Sequence, residues 1–140
     1  MCNYCGCRQF PLIARFTAEH EVISNAAGAL REAVEQRRPD VPALLRALVG
    51  LVTPHTAAEE SGLFRELLAE GSLAEAVERL CAEHTHIHGV LATVDPDAPD
   101  PATVLAALDR LREHIDHEEH GLFPAAVIAL PFDAWDRVSP

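Results

Sequence analysis

Apolar residues recur at spacings of three and four along four stretches of the chain, the period of one face of an α-helix. The first stripe is Phe10, Ile13, Phe16, His20, Ile23, Ala27, Leu30 and Val34, ending near Arg38-Pro39. Asp40 is a suitable N-cap for a second helix, with Pro42 tolerated in its first turn. Its stripe is Leu44, Leu48, Leu51, His55, Glu59 and Leu63, and Gly71 ends it. Pro54 inside this helix predicts a kink directly before His55. Ser72-Leu73-Ala74-Glu75 has the form of a capping box. The third stripe follows as Leu73, Val77, Leu80, His84, His88 and Leu91. After a Pro/Asp loop, Asp100 caps and Pro101 starts a fourth helix with the stripe Leu108, Leu111, His114, Glu118 and Leu122. Pro124 and Pro131 predict a break into a short tail.

Four helices joined by short loops, with no competing strand-like alternation, predict an all-α, up-down-up-down four-helix bundle. The bundle is expected over residues 10–124, preceded by a Cys-rich arm at 1–9 and followed by a tail at 125–140. In that tail Phe132 and Trp135 lie on one side of a short turn, suited to capping the bundle or contacting another subunit.

Composition narrows the function classes. The chain has 140 residues, enough for one domain, and is 49% hydrophobic and 24% charged, which is globular. Its 11 basic residues, all Arg, face 22 acidic ones, for a net charge of -11. Such a chain is a poor partner for nucleic-acid phosphates or an anionic membrane surface. No apolar run reaches the roughly 18 residues expected of a membrane span, and MCNYCGCRQF lacks the form of a secretory signal. A reducing cytoplasm is the expected setting, and the absence of Lys suggests a GC-rich bacterial genome.

Candidate chemistry lies on the apolar stripes themselves. Of eight His, six fall in two clusters, His84 to His88 and His114 to His120. His20, His55, His84, His88 and His114 stand where periodicity asks for Leu or Val, and so do Glu59 and Glu118. A buried carboxylate without a partner costs several kcal/mol by rough reckoning. Seven such groups near the middle of four helices need a common partner that accepts nitrogen and oxygen ligands, and a metal supplies it. His55/Glu59, His84/His88 and His114/Glu118 are all i, i+4 pairs, which stack on one helix face and can reach one ion or bridge two. HTAAEESGLF (55–64) and HIDHEEHGLF (114–123) repeat H-x3-E-E-x-G-L-F at identical spacing, as a pseudo-symmetric two-metal site would require. A lone His/Glu pair is ordinary on a helix surface, and a lone core His such as His20 is usually satisfied by hydrogen bonding. The repeat, the HxxxH between its copies and the His on the first helix together are not ordinary. Glu60 and Glu119, 100° further round, are expected to be solvated or to support ligands. His86 is expected to be exposed, and His117 is a candidate to support His114.

These residues resemble the hemerythrin-like (HHE cation-binding) family over essentially residues 10–124. The resemblance rests on His20-Glu21, His55-x3-Glu59, His84-x3-His88 and His114-x3-Glu118 in that order. It implies a non-haem di-iron centre with an oxo or hydroxo bridge. His20, His55, His84, His88 and His114 would be the imidazole ligands, and Glu59 and Glu118 the bridging carboxylates. The oxygen carriers of the family end in a longer spacing with Asp; the shorter HxxxE here is similar to the bacterial, HHE-type members. The resemblance implies binding of O2, peroxide or nitric oxide at an open iron position. Imidazole and carboxylate equally suit Zn or Mn.

Outside the family pattern, Cys2-x2-Cys5 with Cys7 forms a thiol cluster. It has the form of half a zinc knuckle, needing a fourth ligand such as Cys81, His117 or His120, or of a redox-active cluster with Arg8 nearby. Three functions follow: a di-iron protein binding O2 or nitric oxide, an enzyme consuming peroxide or nitric oxide in oxidative stress with His117 or Tyr4 as proton donor, and a redox sensor whose Cys arm signals to a partner protein. An electron donor or signalling protein is the partner these readings imply.

Overall fold

The computed structural model describes residues 10–138. Four long helices and a short fifth account for nearly all of them. Helix α1 spans Pro11–Glu35. Helix α2, Val41–Glu70, is continuous although Pro54 lies inside it. Helix α3 spans Ala74–Thr93, α4 residues 101–129, and α5 Phe132–Arg137. Among the described residues there is no strand.

Two apolar clusters fix the topology. One gathers Ile13 and Phe16 from α1, Leu63 and Leu67 from α2, Val77 and Leu80 from α3, and Leu122 and Ala126 from α4. The other gathers Ile23 and Leu30, Leu45 and Val52, Ile87 and Leu91, and Val104 and Leu111 from the same helices. Each helix therefore crosses from one cluster to the other, and the direction alternates, as an up-down-up-down bundle demands. His20, His55, Glu59, His84, His114 and Glu118 fall between the two clusters. By length and composition α2 could cross a membrane, but its stripe is divided between both clusters around the buried His55 and Glu59, which makes it a core helix of the bundle.

Several helix ends differ from the sequence reading. Asp40 precedes α2 without a side-chain cap, because Arg38 takes both its carboxylate oxygens at 3.1 and 2.5 Å. The proposed capping box does not form: α3 begins at Ala74, and the Ser72 hydroxyl turns back to Glu70 at 2.5 Å. Asp100 does cap α4, accepting from the Thr103 amide at 3.1 Å. Helix α1 ends as a Schellman turn, with Arg38 N donating to Ala33 O and Arg37 N to Val34 O. Arg37 sits there at φ 53, a position glycine usually takes.

Pro124 does not break α4, which continues to Ala129. The reason is the five residues before it. Glu118–Leu122 form a π-helical turn, and Glu60–Phe64 form another in α2. Both copies of the sequence repeat thus carry the same wide turn. A π turn shifts bonding from i→i+4 to i→i+5, so Pro124 removes a donor where the ladder is already interrupted. Beyond it, Ala134 and Val138 of the C-terminal segment join the first cluster, and Trp135 packs on Phe10 with ring centroids 4.7 Å apart. The Glu66 carboxylate of α2, buried beneath α5, accepts from Arg137 Nε and a terminal nitrogen, each at 3.0 Å.

Candidate metal centre

Between the apolar clusters, four imidazoles and two carboxylates converge. His20, His55, His84 and His114 are buried, and Glu59 and Glu118 are fully enclosed at 0% exposure. They fall into two groups, His20-His55-Glu59-Glu118 and Glu59-His84-His114-Glu118, in each of which one ligand atom per residue lies within 4.8 Å of all the others. The two groups share both glutamates. The contacts are short: His114 Nε2 to Glu118 at 2.7 Å, His55 Nε2 to Glu59 at 3.2 Å, His84 Nε2 to Glu59 at 3.4 Å, and His20 Nε2 to Glu118 at 3.5 Å. His84 and His114 meet through their Nε2 atoms at 2.8 Å.

The inward atoms are nonetheless poorly satisfied. His20 Nε2, His55 Nε2 and all four oxygens of Glu59 and Glu118 are buried without a hydrogen-bond partner among the described residues. Such atoms are costly in a core unless something else binds them. Burial and the adjacent Glu59 carboxylate push Glu118 up. Burial alone would raise Glu59 too, but contacts with Glu118, His20, His55 and His84 outweigh it and hold Glu59 well below the usual carboxylate range. Burial would lower His20, but Glu118, Glu119 and Glu59 outweigh it and lift the imidazole to about 11. His114 is lifted to about 9, burial being outweighed by Glu118 and Glu83. Imidazoles and carboxylates enclosed together hold protons that a bound cation would displace.

The outward side of each imidazole is held by a carboxylate from the neighbouring helix. His20 Nδ1 bonds Glu119 at 2.7 Å, His55 Nδ1 bonds Glu19 at 3.0 Å, His84 Nδ1 bonds Glu60 at 2.9 Å, and His114 Nδ1 bonds Glu83 at 2.6 Å. The support closes into a ring: α4 holds α1, α1 holds α2, α2 holds α3, and α3 holds α4. An Nδ1–H donated to a carboxylate directs the Nε2 lone pair of a neutral imidazole inward, the arrangement of metal-binding histidines.

The repeat now has a physical reading. In each copy the His and first Glu point inward, and the second Glu supports the imidazole of the next helix. The closing Phe stacks on that same ring: Phe64 on His84 at 5.6 Å and Phe123 on His20 at 5.7 Å. Glu19 and Glu83 were not foreseen, although the sequence carries their signal. Ala18-Glu19-His20 and Ala82-Glu83-His84 are a second repeat, so the chain holds two copies of AEH followed by HxxxEExGLF.

The remaining sequence candidates lie elsewhere. His88 is in neither ligand group; it is half-buried one turn beyond His84, with Nε2 2.7 Å from the Thr56 hydroxyl. His117 is exposed, and its Nδ1 is 3.2 Å from the Glu83 oxygen opposite the one that holds His114. His86 and His120 are exposed. Cys81 is half-buried against the first apolar cluster, where burial pushes its thiol up. Cys2, Cys5 and Cys7 lie outside the described residues.

Bundle topology, two interlocking His/Glu groups and inward-facing unsatisfied donors define a cation-binding helical bundle as a class. The hemerythrin HHE cation-binding domain matches residues 12–126, and the chain belongs to that family. No curated protein and no solved structure matches the chain.

Proposed function

We propose that the chain is a non-haem di-iron protein that binds O2 or a related small ligand, peroxide or nitric oxide, at the His/Glu centre. The observation that carries this reading is the pair of ligand groups sharing Glu59 and Glu118. His20 and His55 would hold one ion, His84 and His114 the other, and the two glutamates would serve both. Two ferrous ions bound there would supply the electrons and the open coordination position that such a ligand needs. His88, the fifth imidazole implied by the resemblance, would have to leave Thr56 to join them.

The chain's own residues do the rest. The four supporting carboxylates fix each ring and its tautomer. Phe16, packed edge-on against His55 at 5.6 Å, Phe64 and Phe123 wall the centre and exclude water. A cytoplasmic protein exchanging electrons or signals with a partner fits this reading.

Iron stoichiometry with an optical spectrum, before and after O2 exposure, tests it. Two irons per chain and a band in the near-ultraviolet to visible range on oxidation are expected. A reconstituted protein without iron would refute it. A second reading, an enzyme consuming peroxide or nitric oxide, is favoured by one observation. His114, Glu83 and the exposed His117 form a hydrogen-bonded chain from the centre to the surface, able to carry a proton. Turnover of peroxide or nitric oxide no faster than by free iron would remove it. The redox-sensor reading depends on Cys2, Cys5 and Cys7, and a triple Ser variant with unchanged function would exclude it; zinc analysis of the same variant tests a zinc site there.

A further inference from the structure

Two surface cavities reach an imidazole of the centre, and they differ in charge. The cleft between α1 and α2, about 330 Å³, ends at His55 and is walled by Val22, Ile23, Leu51 and Pro54, with the Arg15–Glu19 ion pair at its side. An apolar wall and an ion pair without net charge give a cation nothing to gather it. The cleft between α1 and α4, about 450 Å³, is walled by Glu21, Ser24, Asp116, Glu119 and His120 and ends at His20. Among the described residues neither Glu21 nor Asp116 is paired with a cation.

The floor of this cleft is an imidazole of the centre itself. His20 is 3% exposed; Glu119 holds its Nδ1 from the cleft side, and its Nε2, buried without a hydrogen-bond partner, faces Glu59 and Glu118 within. Glu119, bonded to both Thr17 and His20, is the last carboxylate before the centre.

The internal two-fold explains why the cleft lies on this side. Ser24 stands four residues after His20 as His88 stands four after His84, and Ile115 follows His114 as Thr56 follows His55. Between α2 and α3, His88 occupies the equivalent position and is tied to Thr56. Between α1 and α4, the small Ser24 opposite Ile115 leaves the space open.

We infer that the α1/α4 cleft is the vestibule through which a divalent first-row cation reaches the centre, with Glu21, Asp116 and His120 gathering it at the mouth and Glu119 passing it inward. This rests on the metal-centre reading above.

The test is the rate of cobalt(II) uptake by metal-free, full-length protein, followed by visible absorbance at low ionic strength, with final stoichiometry by metal analysis. Glu21→Gln/Asp116→Asn and, separately, Ser24→Phe should each slow loading at least about five-fold while leaving the final stoichiometry unchanged; focusing by such a cleft is worth tenfold or more in rate. The slowing in the charge variant should shrink with added salt. A Glu35→Gln/Asp95→Asn variant, with the same charge change at the far end of the bundle, should load at the wild-type rate. All three variants are at exposed positions or the bundle end, so folding is checked by circular dichroism alone. Wild-type rates in both cleft variants, or equal slowing in the far-end control, would overturn the inference while leaving two-ion binding intact. A wild-type chain that takes up no cobalt would overturn both.

Discussion

His20 and Glu119 meet 2.7 Å apart across the α1–α4 interface, and the contact decides which nitrogen of His20 faces the centre. With Nδ1 donating to the carboxylate, Nε2 is directed at Glu59 and Glu118. The same relationship recurs at His55–Glu19, His84–Glu60 and His114–Glu83. Helix packing and imidazole orientation are therefore one set of contacts: each helix aims the inward ring of its neighbour.

Removing a supporting carboxylate should weaken metal binding without deleting a ligand. Glu119→Ala should lower affinity by about 10- to 100-fold, the usual cost of losing such support. Glu60→Ala should cost less, because Glu60 is 45% exposed against 8% for Glu119, and water can replace an exposed carboxylate. Competition with a chromophoric chelator measures both; equal losses would contradict the ring as drawn.

The helices and the inward-facing ligands were legible because both follow one periodicity: His20, His55, Glu59, His84, His114 and Glu118 occupy stripe positions. Glu19 and Glu83 were not, because they lie one residue off the stripe, where a carboxylate is ordinarily solvated. Their role depends on which helix packs alongside, information that no single-helix pattern holds. The π turns were illegible for a similar reason. Nothing in ESGLF or EEHGL forbids an α-helix, so the wide turn is a product of tertiary packing. His88 shows the limit of periodicity: it keeps a stripe position, yet Thr56 offers its Nε2 a partner 2.7 Å away.

The enclosed carboxylate Glu118 ties the stability of the metal-free fold to its imidazole contacts. Glu118 is enclosed beside Glu59, facing His114 and His20, with neither oxygen in a directed hydrogen bond. Glu118→Gln relieves the contact with Glu59 at constant shape but also removes the carboxylate that faces His20 and His114, and the loss of those buried pairs dominates, so metal-free protein should lose about 3 kcal/mol. The same variant should lose the rise in melting temperature that two ions give the wild type. Melting curves with and without metal decide; a stabilised metal-free variant would show that repulsion from Glu59 outweighs the imidazole contacts.

At the end of α1, Arg37 occupies a left-handed conformation at φ 53. That costs a non-glycine residue about 1 to 2 kcal/mol, partly offset by glycine's greater freedom when unfolded. Arg37→Gly should therefore stabilise the protein by about 0.5 kcal/mol. Gly71, at φ 96 after α2, is the converse, and Gly71→Ala should cost about 1 kcal/mol. Urea denaturation of both variants checks the signs.

Docking of α5 should depend on acid pH through the Glu66–Arg137 pair. The Arg137 guanidinium beside Glu66 holds its carboxyl below the usual value of 4.5. A carboxylate whose pKa falls on folding contributes stability that is complete above its unfolded pKa and is lost as pH drops through the lower, folded one. Glu66→Gln keeps the shape and removes that dependence. The difference in melting temperature between wild type and Glu66→Gln should thus be constant from neutral pH down to about 5 and shrink steadily below 4.5. Taking the difference cancels the titration of the buried centre, which both proteins share. A difference that grows on acidification would mean that Glu66 is protonated in the folded protein and that α5 is held by Ala134, Trp135 and Val138 alone.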